Sequence, residues 1–418
     1  MLIETLDVLR CPYCGGCLSL VDSIFHRKTA TELHDGILGC HCCIFPLVDG
    51  IPVLHVLPSS TVARDHIQAG RPELARRAMF GLDNDADAEA FDAVASSNTA
   101  TYKDTVEALG PNFESGYFLY RFSDPTYIVA QAVTRAVGAT VLNGTRRAID
   151  ICGGSGHVTR TLLDLTTAPV ILADLYFAKV WLARRFTAPG CEPVCCDGNA
   201  PMPFARGAFG FAMCTDAFMY IWTKRQFVGE MERLVDARAP GAEPGAVLIG
   251  HTHNERTWTP SHGQPLSPEG YLDLFETFEP RIFGEGNLFA DVVAGGPLDL
   301  ARRDDQQTLD QSPALTIVAS RHPGVFARHA LPPPATGAGE LRINPLYVQK
   351  PDGDQIRLTL AFPNEEYADE YGACRQYLPE TLTLDRAAIA ALAAGRVSGP
   401  LVDLLRRKVI VDLPKRYY

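Results

Sequence analysis

The sequence has no run of apolar residues long enough to cross a bilayer, so a membrane-spanning role is not expected. Its first ten residues, MLIETLDVLR, carry Glu4 and Asp7 where a secretory leader would need an apolar stretch. The expected compartment is therefore the cytoplasm, where thiols stay reduced. Excess positive charge is missing as well. Lys and Arg number 38 against 49 Asp and Glu, a net charge of −11, which disfavours a general affinity for nucleic acid. No internal repeat is visible, which removes solenoid architectures. What remains is the composition of an ordinary globular protein, at 418 residues long enough for two or three domains.

Cysteine is plentiful but uneven. Six of the twelve fall within the first 43 residues, and the rest are scattered in apolar surroundings as core residues. Cys11 and Cys14 form one CxxC and Cys40 and Cys43 a second, the spacing of two knuckles that place four thiolates around one structural zinc ion. Cys17, His41 and Cys42 are spare, and Cys42 can replace Cys43 as the fourth ligand. A redox pair is the competing reading. The run CPYC, followed by CHCCIFPLVDGIPVL, resembles the small zinc-ribbon activator proteins that partner tRNA, rRNA and release-factor methyltransferases. The resemblance covers residues 2–57, and its most specific part is FPLVDGIPVL. It departs from the family in having only Ile44 between Cys43 and Phe45.

Residues 1–58 are thus expected as a ribbon. Residues 59–135, with PELARRAMFGL and AEAFDAVASSN, predict a helical linker or lid. From 136 to 322 strands and helices alternate: AIDIC, VILAD, EPVCCD, GFAMCTD, GAVLIGH and ALTIVASRH read as strands. HVTRTLLDL, FAKVWLARRF, the stretch through EMERLVDARA and SPEGYLDLFETF read as helices. That alternation predicts an α/β, Rossmann-like, doubly wound parallel sheet. HALPPPATGAGE is a linker by composition. Residues 340–418 predict a small α+β unit, with IRLTLAF as a strand, LDRAAIAALAAG as a helix and a basic end, VDLLRRKVIVDLPKRYY. That end reads as a solvated helix end followed by a strand, with a phosphate-binding tail as the alternative.

The stretch AIDICGGSGHVTR places Asp150 ahead of a glycine turn containing Gly153, Gly154 and Gly156. A carboxylate there repels a pyrophosphate and suits a ligand with a positive centre. Asp174 ends the next strand, where an acid can accept both hydroxyls of a ribose. Asp197 ends the third, within reach of an adenine amino group, with Asn199 just beyond, and Asp216 ends the fourth. Open α/β sheets bind ligands at such strand ends. Together these residues resemble the class I S-adenosylmethionine-dependent methyltransferases over residues 136–322. The resemblance implies that Asp150, Gly153, Gly154, Gly156, Asp174, Asp197, Asn199 and Asp216 line the cofactor site. Cys152 stands where that family usually has its first glycine.

Methyl transfer is an in-line displacement in which orientation dominates and a base takes the acceptor's proton. His251 and His253, in GHTHN, emerge at the cofactor rim and are the candidate bases; local hydrogen bonding and a two-histidine metal site with Glu255 are the alternatives. Tyr117, Phe118, Tyr120, Arg121 and Phe122 form a candidate lid, with ordinary packing as the other reading. His157 has no assigned role. CTDA, at 214–217, replaces the Asn-Pro-Pro-Tyr type of signature of amino-methylating enzymes. With the net acidity, this points to a small or medium-sized acceptor such as a metabolite or sugar, methylated at O, N or C. An RNA methyltransferase and a catalytically silent cofactor-binding scaffold are the alternatives. The ribbon is expected to dock on its own methyltransferase domain.

Overall fold

The computed structural model describes residues 1–82, 84–110, 115–237, 242–258, 263–331 and 339–418. Most of the expected linker at 329–340, and the side chain of Tyr117, lie outside these residues. The chain begins with Ser19–Leu20 (β1), Arg27–Lys28 (β2), Leu33–Gly39 (β3), Ile44–Val48 (β4) and Ile51–Pro52 (β5). β1, β3, β4 and β5 pair in that order, with β2 on β3. Asp49 and Gly50 both take positive φ, 51° and 74°, the tight hairpin turn that an Asp-Gly pair favours between β4 and β5.

Helices follow: Pro58–Gln68 (α1), Pro72–Phe80 (α2), Asp85–Ser96 (α3), Tyr102–Ala108 (α4), Ser115–Tyr120 (α5) and Pro125–Val141 (α6). Their starts are chemically marked. Asn84 caps α3, Thr101 and Asp104 form a reciprocal box on α4, and Asp124 caps α6 with Pro125 in its first turn. The break expected between 135 and 136 falls inside α6. Val133, Val137 and Val141, one turn apart, are wholly buried along a single face, so the helix continues unbroken.

The main sheet comprises Ala148–Ile151 (β6), Val170–Asp174 (β7), Glu192–Cys195 (β8), Phe211–Thr215 (β9), Ala246–His253 (β10), Pro280–Gly284 (β11) and Ala314–Ser320, which follows the short Leu298–Asp299 (β12) and is β13. Its order is β11-β13-β10-β9-β6-β7-β8. β13 runs antiparallel to both β10 and β11, so the expected parallel, doubly wound sheet carries one reversed strand. Strands buried on both faces are apolar throughout, and such a pattern carries no direction. The helices are Thr159–Leu163 (α7), Phe177–Leu182 (α8), Lys224–Val235 (α9), Pro268–Leu272 (α10), Glu285–Ala294 (α11) and Gln306–Gln311 (α12). α10 is shorter than SPEGYLDLFETF suggests. The backbone N–H groups of Thr277 and Phe278 donate to the buried Glu232 carboxylate at 3.0 and 2.7 Å and lead the chain into β11 instead.

The N-terminal unit, where a ribbon was expected, joins this sheet. Val53 bridges Cys195 in parallel and Leu54 N donates to Cys195 O at 2.7 Å, extending the β8 edge. Glu192 Oε2 accepts from Leu2 N at 2.8 Å and Thr5 Oγ1 at 3.0 Å, and Trp181 Nε1 donates to Asp49 Oδ2 at 2.6 Å.

Arg328–His329 (β14) pairs with β12, and Glu340–Ile343 (β15) pairs with the last strand of the C-terminal unit. That unit adds Tyr347–Asp352 (β16), Gln355–Leu360 (β17), Thr381–Asp385 (β18) and Ile410–Leu413 (β19), with Glu365–Tyr371 (α13), Arg386–Ala393 (α14) and Pro400–Arg406 (α15). The expected helix and strand at its end are present as α15 and β19, and beyond them Tyr417 is buried while Lys415 is exposed. Tyr102 N donates to Arg416 O at 2.7 Å, and the buried Tyr417 ring stacks on Tyr102 at 4.6 Å. Among the described residues no helix is long and apolar enough to cross a membrane.

Candidate active site and metal centre

The turn after β6 is shaped by close approach. A Cβ on Gly153 would come within 2.6 Å of Asp150 Oδ2, so no larger residue fits. Gly154 has φ 56° and lies beneath the Phe118 ring; its N–H donates to Asp174 Oδ2 at 2.9 Å, while Tyr176 N donates to Oδ1 at 2.9 Å. Gly156, at φ 76°, leaves the turn toward α7. Cys152, although not glycine, also takes positive φ, 58°.

Asp150 differs from its expected role. It is wholly buried beneath the turn, where Thr159 Oγ1 donates to its Oδ2 at 2.6 Å. Burial pushes its carboxyl up to about 7, with Asp174 adding to the rise, so near neutrality it is not a full negative charge. Oδ1 is buried without a hydrogen-bond partner. An orphaned acceptor under a glycine cradle fits a ligand that brings a donor.

Asp197 Oδ1 accepts from Asn199 N at 2.8 Å. The Asn199 side chain is committed elsewhere: its Oδ1 accepts from Trp222 N at 2.7 Å and fixes the loop after β9. Asp216 shares the Arg121 guanidinium with Asp124. Arg121 Nη2 lies 3.4 Å from its Oδ2, and His251 Nε2 lies 3.9 Å from its Oδ1. Arg121 is itself buried, with Nη1 donating to Asp124 at 2.7 Å.

His251 and His253 lie two residues apart on β10 and so on one face. The β10–β13 register shifts between Ile249 and Thr252, and His251 takes φ 48° in that bulge. Glu285, on α11, receives the bulge: His251 N donates to Oε1 at 2.8 Å, and Nδ1 faces Oε2 at 2.7 Å. Burial alone would lower His251, but Glu285 and Asp216 bring it up to about 9. Burial and the charge on His251 push His253 down to about 4. Their rings are 5.6 Å apart.

Asp216, His251 and His253 each offer a ligand atom within 4.8 Å of the others, a grouping that replaces the expected one with Glu255. The Arg121 guanidinium on Asp216 and the proton held on His251 by Glu285 already supply this trio with cations. His157 is a buried packing residue, with Nε2 2.8 Å from Tyr417 Oη and burial pushing it down to about 3. Tyr417 Oη donates in turn to Phe118 O at 2.6 Å, tying the lid to the tail.

At the ribbon, the sulfurs that converge belong to Cys11, Cys14, Cys40 and Cys42. Cys42, rather than Cys43, completes the group; Cys43 contributes its backbone N–H to Cys40 Sγ at 3.3 Å. The Sγ separations are 3.8 Å for Cys11–Cys42, 3.7 Å for Cys14–Cys40 and 3.5 Å for Cys40–Cys42. Sulfurs about 2.3 Å from a tetrahedral zinc ion stand about 3.8 Å from one another, so the residues present fit that ion. Burial would raise Cys40, but the N–H groups of Cys42 and Cys43 and neighbouring thiols bring it down to about 6.

Residues 149–238 match the family model described as a methyltransferase domain. The chain carries a methyltransferase domain. The matched segment holds the glycine turn, Asp174, Asp197 and Asp216. No curated protein matches the chain. Similar solved structures include a geranyl diphosphate C-methyltransferase from Streptomyces coelicolor A3(2), 16% identical, covering 55% of this chain and 84% of that one with a TM-score of 0.34. A SAM-dependent methyltransferase from Aquifex aeolicus is 13% identical over 49% and 97%, TM-score 0.34. A chain from the complex between the Haloferax volcanii Trm112 methyltransferase activator and a methyltransferase is 16% identical over 48% and 90%, TM-score 0.34. Sequence reasoning missed Glu285 as a partner of the methyltransferase's histidines. No signal marked it, since it opens a helix that the sequence pattern did not predict.

Proposed function

We propose that this methyltransferase acts on a small or medium-sized acceptor and that His253 takes the acceptor's proton. The observation that carries the reading is the pair of histidine rings 5.6 Å apart at one strand end, with His251 held between Glu285 at 2.7 Å and Asp216 at 3.9 Å. In this reading the ends of β6, β7 and β8 would hold the nucleoside. Asp174 receives the ribose hydroxyls, Asp197 the adenine amino group, and Asp150 Oδ1 a donor arriving over the glycine turn. When bound, the cofactor supplies a methyl group on a cationic sulfur. His253, neutral near pH 7, accepts the proton from an acceptor O–H or N–H. The proton would rest on His253, leaving the acceptor atom with the lone pair that the methyl group would take. Glu285 is a positioning residue, since it fixes the ring and charge of His251. Asp216 belongs on the acceptor side with Arg121 rather than with the nucleoside.

Enclosure favours a small acceptor. Phe118 lies over Gly154, and the C-terminal unit brings Glu370 near Asp216 and Asp124, whose charges add to burial in raising its carboxyl. We read the cysteine tetrad as a structural zinc site and the ribbon as a docked edge that stabilises the sheet.

The test is purification of the full chain, followed by metal analysis and mass spectrometry of co-purified nucleosides. Release of S-adenosylhomocysteine is then measured against a panel of phenols, hydroxy acids, amines and sugars, and against RNA. Turnover of a small acceptor, with one zinc per chain, is expected. Turnover of RNA alone, falling steeply with salt, would assign the acceptor wrongly; tight uptake of NAD with no adenosyl compound would remove the cofactor assignment.

A further inference from the structure

A cavity of about 770 Å³ lies behind the active site, between the outer faces of α6 and α7 and the end of the C-terminal unit. That size falls in the range of about 300–1,000 Å³ typical of small-molecule sites. No residue assigned above to the cofactor, to the histidine pair or to the zinc site lines it. Its walls are apolar where Ile128, Ala132, Leu163, Phe186, Val402 and Leu405 face inward. Its charge is lopsided. Among the described residues seven cationic side chains line it against two carboxylates, Asp164 and Asp412, in a chain whose net charge is −11.

Two of the cations are answered by those carboxylates, Arg135 with Asp164 at 2.7 Å and Arg160 with Asp412 at 3.3 Å. Arg185 and Arg416 donate to the carbonyls of Ser97 and Asn98, which satisfies N–H groups without cancelling charge. Lys408 is different. Its Nζ has one long hydrogen bond, 3.4 Å to Gln131 Oε1, and rests 4.9 Å above the Tyr127 ring. Among the described residues no carboxylate lies within ion-pair distance of it. Burial pulls its ammonium down to about 8, which leaves it mostly charged near neutrality with donors to spare.

We propose that this cavity binds an amphipathic anion, with a carboxylate or phosphate head on Lys408 and a hydrocarbon body along α6, α7 and α15. Asp412 and Asp124 act on this ammonium only from beyond ion-pair distance, so beside apolar walls it is stabilised further by a ligand that supplies both the charge and the body. The occupant would rest against the back of the glycine turn. Phe122, which lines the cavity, packs 4.9 Å from the His157 ring, and Thr187, which also lines it, donates to Ser155 O. The inference does not depend on which acceptor the enzyme methylates.

The experiment is calorimetric titration of the full chain with dodecanoate and with dodecyl phosphate below their micelle concentrations. Dodecyltrimethylammonium and inorganic phosphate serve as controls. Binding of at least one alkyl anion, one per chain, is expected, and the stronger of the two identifies the head. Lys408→Met should weaken it by about tenfold or more, the loss of one charge-assisted contact, and Val402→Trp should abolish it by filling the apolar wall. Should Lys408→Met fail to fold, Val402→Trp alone decides. Equal binding of the trimethylammonium chain, equal binding of bare phosphate, indifference to the folded variants, or no binding of either alkyl anion would each overturn the proposal.

Discussion

His251 and His253 are chemically identical side chains on one face of one strand, and their surroundings alone separate them. With His253 active as the neutral ring and His251 needed as the cation, kcat should be level between about pH 5 and 8. It should fall below about 4, as His253 protonates, and above about 9, as His251 loses its proton. Glu285→Gln should bring the alkaline limb down toward the ordinary histidine value of about 6.5. A variant with an unmoved limb would detach Glu285 from the chemistry. The same group links to stability. A histidine raised on folding contributes stability that is complete below about pH 6.5 and is lost as pH rises through about 9. The sequence placed Asp174, Asp197 and both histidines at strand ends, and the structure has them there, because strand ends are where an open sheet presents its side chains. It overstated Asp150, whose charge is suppressed by burial that no local pattern reveals. It could not find Glu285, 34 residues from the ring it holds.

Elements were readable to the extent that their periodicity was local. β6 to β10 follow from short apolar runs between turns, and α14 from an alanine-rich helical run stopped near Gly395. β11 and α11 went unseen because PRIFGEGNLFADVVAGG mixes glycine with both patterns and owes its form to packing on β13. In the ribbon, spacing alone could not choose the fourth thiolate, since Cys42 and Cys43 are adjacent and only the path of the knuckle decides which sulfur turns inward. Cys42→Ser should therefore lower zinc content well below one per chain, while Cys43→Ser should retain it. Atomic absorption on both variants checks this, and the reverse result would return the fourth ligand to Cys43.

The whole molecule is held by contacts that span the chain. Glu192 anchors the first five residues, and Tyr417 closes on Phe118 and His157 from the far end. Deleting residues 1–57 would uncover the β8 edge together with Val194 and Cys195, wholly buried in the intact protein. The truncated chain should melt several degrees lower and aggregate, as read by differential scanning calorimetry and light scattering; an unchanged melting temperature would make the ribbon a passenger. That seam has a further consequence. The bond from Leu54 to Cys195 lies two positions before Asp197, so the ribbon braces the strand end that carries this carboxylate. If the tetrad holds zinc and Asp197 the nucleobase, as proposed above, stripping the metal would loosen that strand end, and affinity for the nucleoside would fall with zinc content.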